Sequence, residues 1–300
     1  MEFIYYIFIP ILLVPILIFL YIIISYLITQ VSMLTRKSIN KPLKMVVFDL
    51  DETLGYFTEL GLFWDALENF YGTNLFIDKF IEAVDIFPEF FRPNIFKILD
   101  FIHKKQVKKT LYKLIIYTNN QGPKSWVNMI SEYMNHKLGY KVFDQIIGAY
   151  KVNGKQIEPN RTSHDKSLTD LIRCCKSPPN IEVCFIDDLY HPLMDKDNVY
   201  YINIKPYRFS MPLEEMATRY YDKVLKSVKS VSKDDFINHM VTYMKRYNYM
   251  VFKKNETEEK TDIIVGKKLL SHLEDFLARK RIVNTRKKKF NPNKSKNTNK

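Results

Sequence analysis

KMVVFDLDETL, residues 44–54, decides the fold: a short apolar run ends in Asp49-Leu50-Asp51-Glu52-Thr53, two carboxylates one residue apart released into a loop. A continuous apolar run of this length, bounded by polar residues, reads as a strand buried on both faces. Working outward, residues 113–118 (KLIIYT), 142–149, 181–187 (IEVCFID) and 199–204 (VYYINI) read as further strands. Between them, residues 95–104, 124–138 and 167–175 carry helical periodicity, the second opened by Pro123 after a glycine. Strands alternating with helices predict an α/β domain with a three-layer open parallel sheet. In such a sheet, ligands bind at the carboxyl ends of the strands.

Those ends are polar. Asp49 and Asp51 lie close enough to repel, so a bound cation is the natural way to keep both near ionisation. Thr118 is followed by Asn119, Asn120, Gln121 and Gly122, a hydroxyl and amide cluster at a helix N-terminus, where an anion is favoured. Lys166 opens the helix of residues 167–175, and the fourth strand ends in Asp187-Asp188. An acid pair, a hydroxyl, an ammonium and a second acid pair thus stand at four element ends.

Together these residues resemble the haloacid dehalogenase superfamily: DLDETL for its first motif, IIYT for the second, the lysine of HDKSL for the third and CFIDD for the fourth. The separations of 69, 48 and 21 residues between Asp49, Thr118, Lys166 and Asp187 fit that superfamily's small-cap layout, and the resemblance covers residues 44–206. DLDETL, Arg92-Pro93 and Lys166-Ser167-Leu168 look in particular like the phosphatases of the RNA polymerase II C-terminal tail and the related NLI-interacting-factor-like proteins. Two features depart from them: Thr118-Asn119-Asn120-Gln121 is similar to the TNQ of polynucleotide 3′-phosphatases and histidinol phosphatases, and the fourth motif is Asp-Asp in place of Asp-Asn.

The resemblance implies a Rossmann-like fold with a small cap or flap. It also implies a Mg2+-dependent phosphomonoester hydrolase in which Asp49 attacks phosphorus and Asp51 acts as general acid and base. Thr118, Lys166 and Asn119 would bind the phosphate. The metal would be held by Asp49, Asp187 and Asp188 together with the Asp51 backbone carbonyl. A protein serine/threonine phosphatase acting on a phosphoprotein is the first expectation. A polynucleotide 3′-phosphatase, a small-metabolite phosphatase and a non-catalytic scaffold on the same fold are the alternatives.

The rest of the chain sets the context. Residues 3–35 contain no charge, and a helix over residues 3–28 would extend about 39 Å, enough to span a bilayer core of about 30 Å. The stretch lacks a basic n-region and a small-residue cleavage site, so it reads as a retained transmembrane anchor. Glu2 precedes it, whereas Arg36, Lys37, Lys41 and Lys44 follow, which places the N-terminus outside or in a lumen and the body in the cytoplasm. The sequons at Asn160 and Asn255 are then unused. Of the +13 net charge, ten come from residues 279–300, which hold ten Lys/Arg and no acid. The basicity therefore belongs to a tail suited to anionic lipid or nucleic acid. Three cysteines without CxxC or Cys/His spacing exclude a zinc ribbon and read as buried thiols. Residues 55–89 are long enough for a flap and a short helical insert, with their aromatics mostly in core packing. The expected domains are the anchor 1–35, the catalytic domain 36–210, an extension of solvated amphipathic helices 211–278, and the basic tail 279–300.

Overall fold

The computed structural model describes residues 18–31, 43–108, 110–227 and 230–279, and the chain divides into two units, Met1–Pro42 and Leu43–Lys300. In the first, residues 18–31 form helix α1, on which the large apolar side chains are exposed. The rest of the expected span, residues 3–17, lies outside the described residues. Among those described, no helix is long and apolar enough to cross a membrane. The basic tail beyond Arg279 also lies outside them.

The second unit contains β1 (Lys44–Phe48), α2 (Thr58–Tyr71), α3 (Ile77–Val84), α4 (Ile95–Val107), β2 (Lys113–Tyr117), α5 (Lys124–Leu138) and β3 (Gln145–Ile147). A hairpin of β4 (Lys151–Val152) and β5 (Lys155–Gln156) follows, then α6 (Leu168–Cys175), β6 (Glu182–Asp187), β7 (Val199–Asn203), α7 (Leu213–Tyr220), α8 (Lys233–Met244) and α9 (Glu256–Ala278). The five long-range strands form one parallel sheet in the order β3-β2-β1-β6-β7. All five strand expectations and the three helix expectations within residues 95–175 correspond to observed elements.

Alternation along the strands splits the core into two faces. Val46, Phe48, Leu114, Ile116, Cys184 and Ile186 pack on one side against α2–α5 and α7–α9. Met45, Val47, Ile115, Tyr117, Val183 and Phe185 pack on the other against α6. Both faces being covered explains why the central strands are apolar throughout. The three cysteines are free and buried.

The helices after residue 210 differ from the expectation of a solvated extension. Met216, Tyr220, Phe236, Met240, Met244, Leu269, Leu273 and Phe276 recur at helical spacing and are buried in the same core as the sheet. Their Glu/Lys-rich spacing describes only the opposite face. Lys44 ties this layer to the first strand, because its buried ammonium donates to the carbonyls of Phe276 (2.5 Å) and Arg279 at the C-terminus of α9. At the other end of α9, Asn255 forms a capping box: its side chain accepts from the Glu258 N–H at 2.9 Å, and the Glu258 carboxylate accepts from the Asn255 N–H at 3.0 Å.

Candidate active site at the strand ends

Three adjacent strands deliver three of the expected residues to one place. Phe48 of β1 is level with Ile116 of β2 and Ile186 of β6, so the next one or two residues of each strand emerge side by side. Strand spacing of about 4.8 Å then puts Asp49, Thr118 and Asp187 within reach of one another. Asp49 continues the ladder by donating its N–H to the Ile186 carbonyl at 2.9 Å, and Thr118 donates its own to Ile147 at 3.0 Å. All three side chains are buried.

Lys166 arrives from the loop before α6, where Ser167 caps the helix by accepting from the Asp170 N–H at 3.1 Å. The buried Lys166 ammonium donates to Asp49 and, at 2.7 Å, to Asp187. Burial alone would lower its affinity for a proton, but the two carboxylates outweigh that and hold the group above its ordinary value. Asp187 also accepts from the Leu189 N–H at 2.9 Å, and His191 Nε2 stands 3.3 Å from its Oδ2. Burial raises Asp187, yet His191 and Lys166 together leave it below the usual carboxylate range.

The remaining acids are pushed the other way. Burial, reinforced by Asp187 and Asp51 against the pull of Lys166, raises the Asp49 carboxyl to about 8. Burial also raises Asp51, opposed by its hydrogen bond from Asn120, and raises Asp188, where Asp187 and Glu52 add to the effect. Four carboxyls thus converge, and among the described residues Lys166 is the one ammonium bonded to any of them, through Asp49 and Asp187. Asp49, Asp187 and Asp188 each present an oxygen, all within 4.8 Å of one another, and an all-oxygen set of this kind fits a hard divalent cation. Asp51 keeps its carboxylate outside that trio.

Asn119, expected to bind phosphate, and Asn120, for which no role was expected, are held by different partners. Asn119 donates its side-chain amide to the His164 carbonyl at 3.0 Å, which secures the loop bearing Lys166. Asn120 instead faces the acids: its Oδ1 accepts from the Gly122 N–H at 2.9 Å, which leaves its Nδ2 to donate to Asp51 Oδ2 at 2.8 Å. Its backbone N–H donates to Thr118 Oγ1 at 2.9 Å. The Thr118 hydroxyl proton therefore remains available as a donor.

Two buried arginines hold the frame. Arg161 donates to the carbonyls of Thr118 (3.1 Å), Gly148 (2.9 Å) and His164 (2.9 Å) and lies over the Tyr117 ring, so it joins the ends of β2 and β3 to the loop of Lys166. Arg92 donates to Thr53 (2.6 Å), Glu52 (2.6 Å) and Lys205 (2.8 Å), fixing the loop after Asp51, where Glu52 adopts a φ of 57°. Burial pulls the Arg92 guanidinium down to about 10. The sequence drew attention to Arg92 only through its pairing with Pro93, and to Arg161 only as part of a sequon. Neither has a periodic signature that reveals contacts to distant carbonyls.

Replacing Arg92 should act on stability first. Arg92→Ala strands three carbonyls, and with hydrogen bonds to charged groups contributing about 1.5–3 kcal/mol each, a loss of at least about 4 kcal/mol is expected in urea unfolding. Arg92→Lys should recover only part of it, because an ammonium cannot reproduce the fork. Full recovery by lysine would show that charge, not geometry, holds the loop.

Two clefts flank the loop of residues 120–123. One, of about 410 Å3, borders Thr118, Asn120, Ile146 and Glu158. The other, of about 500 Å3, borders Asn120, Leu62, Asp65, Glu68 and Trp126. Comparison of the chain with family models, with curated proteins and with solved structures found no match.

Proposed function

We propose that this chain is a Mg2+-dependent phosphomonoester hydrolase that works through a phospho-aspartate on Asp49, with a phosphoprotein as substrate. The observation that carries this reading is the convergence of Asp49, Thr118, Lys166, Asp187 and Asp188 from four distant segments, with Asp51 beside them under separate control by Asn120. Burying so many like charges is costly for a scaffold with no use for them. The same cost is explained if the acids hold a cation and attack an anion.

In this reading an Asp49 oxygen attacks phosphorus in line, and the bond from phosphorus to the leaving oxygen breaks as the acyl phosphate forms. Asp51, whose raised carboxyl can carry a proton, gives that proton to the leaving oxygen. A water then attacks phosphorus, Asp51 takes its proton, and the acyl phosphate bond breaks to regenerate Asp49 and release phosphate. Lys166 uses two of its three N–H donors on Asp49 and Asp187, which leaves one for a phosphoryl oxygen. Thr118 Oγ1 supplies a second donor. Asp49, Asp187 and Asp188 would hold a Mg2+, which would supply positive charge where phosphate meets carboxylate. The membrane anchor in residues 3–28 remains a proposal from sequence and bears on where the enzyme works, not on its chemistry.

Hydrolysis of an aryl phosphate by the full chain, kept in solution with mild detergent, tests the reading. Turnover is expected with Mg2+, loss of turnover in excess chelator, and its return when Mg2+ is restored. Turnover undiminished in chelator contradicts the metal role, and its absence under both conditions contradicts the hydrolase.

A further inference from the structure

The 500 Å3 groove between α2 and the start of α5 combines two kinds of lining that seldom serve one purpose in a structural crevice. Trp126, Leu62 and Met129 give it an apolar floor, and Asp65 and Glu68, three residues apart on one face of α2, give it an acidic wall. The floor is formed by close approach of two elements, since a Cβ on Gly61 of α2 would lie 3.5 Å from the Trp126 ring. Asp65 is exposed, and among the described residues no ion pair reaches either acid. Glu68 uses Oε1 to accept from the Leu75 N–H at 3.0 Å. Although the residue is exposed, surrounding protein displaces part of its carboxyl's water and the neighbouring Glu68 adds repulsion; both raise Asp65, as expected of an acid pair that lacks a cation.

The groove adjoins the active site through Asn120. Asn120 and Gly122 line it, and Asn120 is the residue that donates to Asp51. Asn120 thus bridges the groove and the acids, and an extended peptide, advancing about 3.4 Å per residue, covers about 10 Å in three positions. We propose that the groove is a specificity subsite for a Lys or Arg side chain of the protein substrate, placed within three residues of the phosphorylated position. This rests on the hydrolase reading above and adds to it. The apolar stem of either residue suits the floor, and the acidic wall matches the charge. The same wall opposes a nucleic-acid strand, whose flanking phosphates would meet two carboxylates.

The test compares kcat/KM of the full chain on a series of phosphoserine peptides carrying one Arg at each position within three residues of the phosphate. Ala and Glu counterparts, a 3′-phosphorylated oligonucleotide and an aryl phosphate complete the set. At one or more positions Arg should improve kcat/KM about tenfold over Ala, mainly through KM, as expected for a cation whose stem is packed and whose charge is paired. Asp65→Asn should remove most of that gain and Asp65→Lys should reverse it toward Glu, with aryl phosphate turnover unchanged in both variants. Peptides that are not distinguished, or an oligonucleotide preferred over every peptide, would overturn the subsite while aryl phosphate turnover leaves the hydrolase standing. Loss of aryl phosphate turnover by the wild type would instead remove the reading on which the subsite rests.

Discussion

Asp49→Asn is expected to abolish hydrolysis of an aryl phosphate, whereas Asp51→Asn should retain a residual rate about 10² to 10⁴ below wild type. The two side chains are chemically identical, and position separates them. Asp49 lies on the strand end beside Lys166, buried and part of the carboxylate trio. An amide there is a poor nucleophile and a weaker ligand. Asp51 is held apart by the Asn120 amide, so its replacement removes proton transfer and leaves nucleophile and cation set intact. Stability separates a chemical defect from misfolding. Because burial holds the Asp49 carboxyl at about 8, a neutral amide at that position should leave the metal-free fold at least as stable as wild type at pH 7. Steady-state rates of the two variants with Mg2+, paired with urea unfolding in chelator, check both statements. Equal residual rates in the two variants would contradict the division of roles.

Lys166→Met should cost stability as well as activity, and the cost should depend on pH. The ammonium is buried between Asp49 and Asp187, and removing one member of such an arrangement leaves uncompensated buried charge worth about 3–5 kcal/mol. In the wild type without metal, Asp49 keeps in the folded state a proton that the unfolded chain gives up near pH 4, so folding stability declines as pH rises from about 4 to about 8. Asp187 works in the opposite sense: its lowered value gives stability that is present above the ordinary carboxylate range and lost on acidification below it. Without Lys166 the Asp49 carboxyl escapes the penalty by protonation, and Asp187 keeps only the Leu189 N–H and the nearby His191 to oppose it. The difference in unfolding free energy between wild type and Lys166→Met, measured in chelator, should therefore be small at pH 5 and approach the full value at pH 8. A difference that is the same at both pH values would mean that the lysine contributes packing and not charge.

The sheet was legible because its central strands are apolar on both faces, which leaves short continuous runs such as MVVF and VCFI that end abruptly in polar residues. The same abruptness marked Asp49, Thr118 and Asp187, since a carboxylate or hydroxyl directly after a buried strand has few places to go. What escaped was decided by loop phase and by distance along the chain. Which of Asn119 and Asn120 turns toward the acids depends on a single turn closed by the Gly122 N–H. Arg161 joins the site through a carbonyl 43 residues away, and His191 meets Asp187 four residues earlier across a loop with no helical pattern to reveal the pairing. The Glu/Lys spacing of the helices after residue 210 points to solvent, but it marks one face only, and Met216, Tyr220, Phe236 and Met240 stand at helical spacing on the buried face.

The central claim, a covalent phosphoryl group on Asp49, is tested most directly by mass spectrometry of Asp51→Asn quenched in acid after a brief pulse of aryl phosphate with Mg2+. That variant lacks the base for water attack, so the acyl phosphate should accumulate, and peptide mapping should place the added phosphoryl group on Asp49. The same pulse on Asp49→Asn should give no adduct. A phosphoryl group on the Asp49→Asn protein, or one mapped to any residue other than Asp49, would contradict the account.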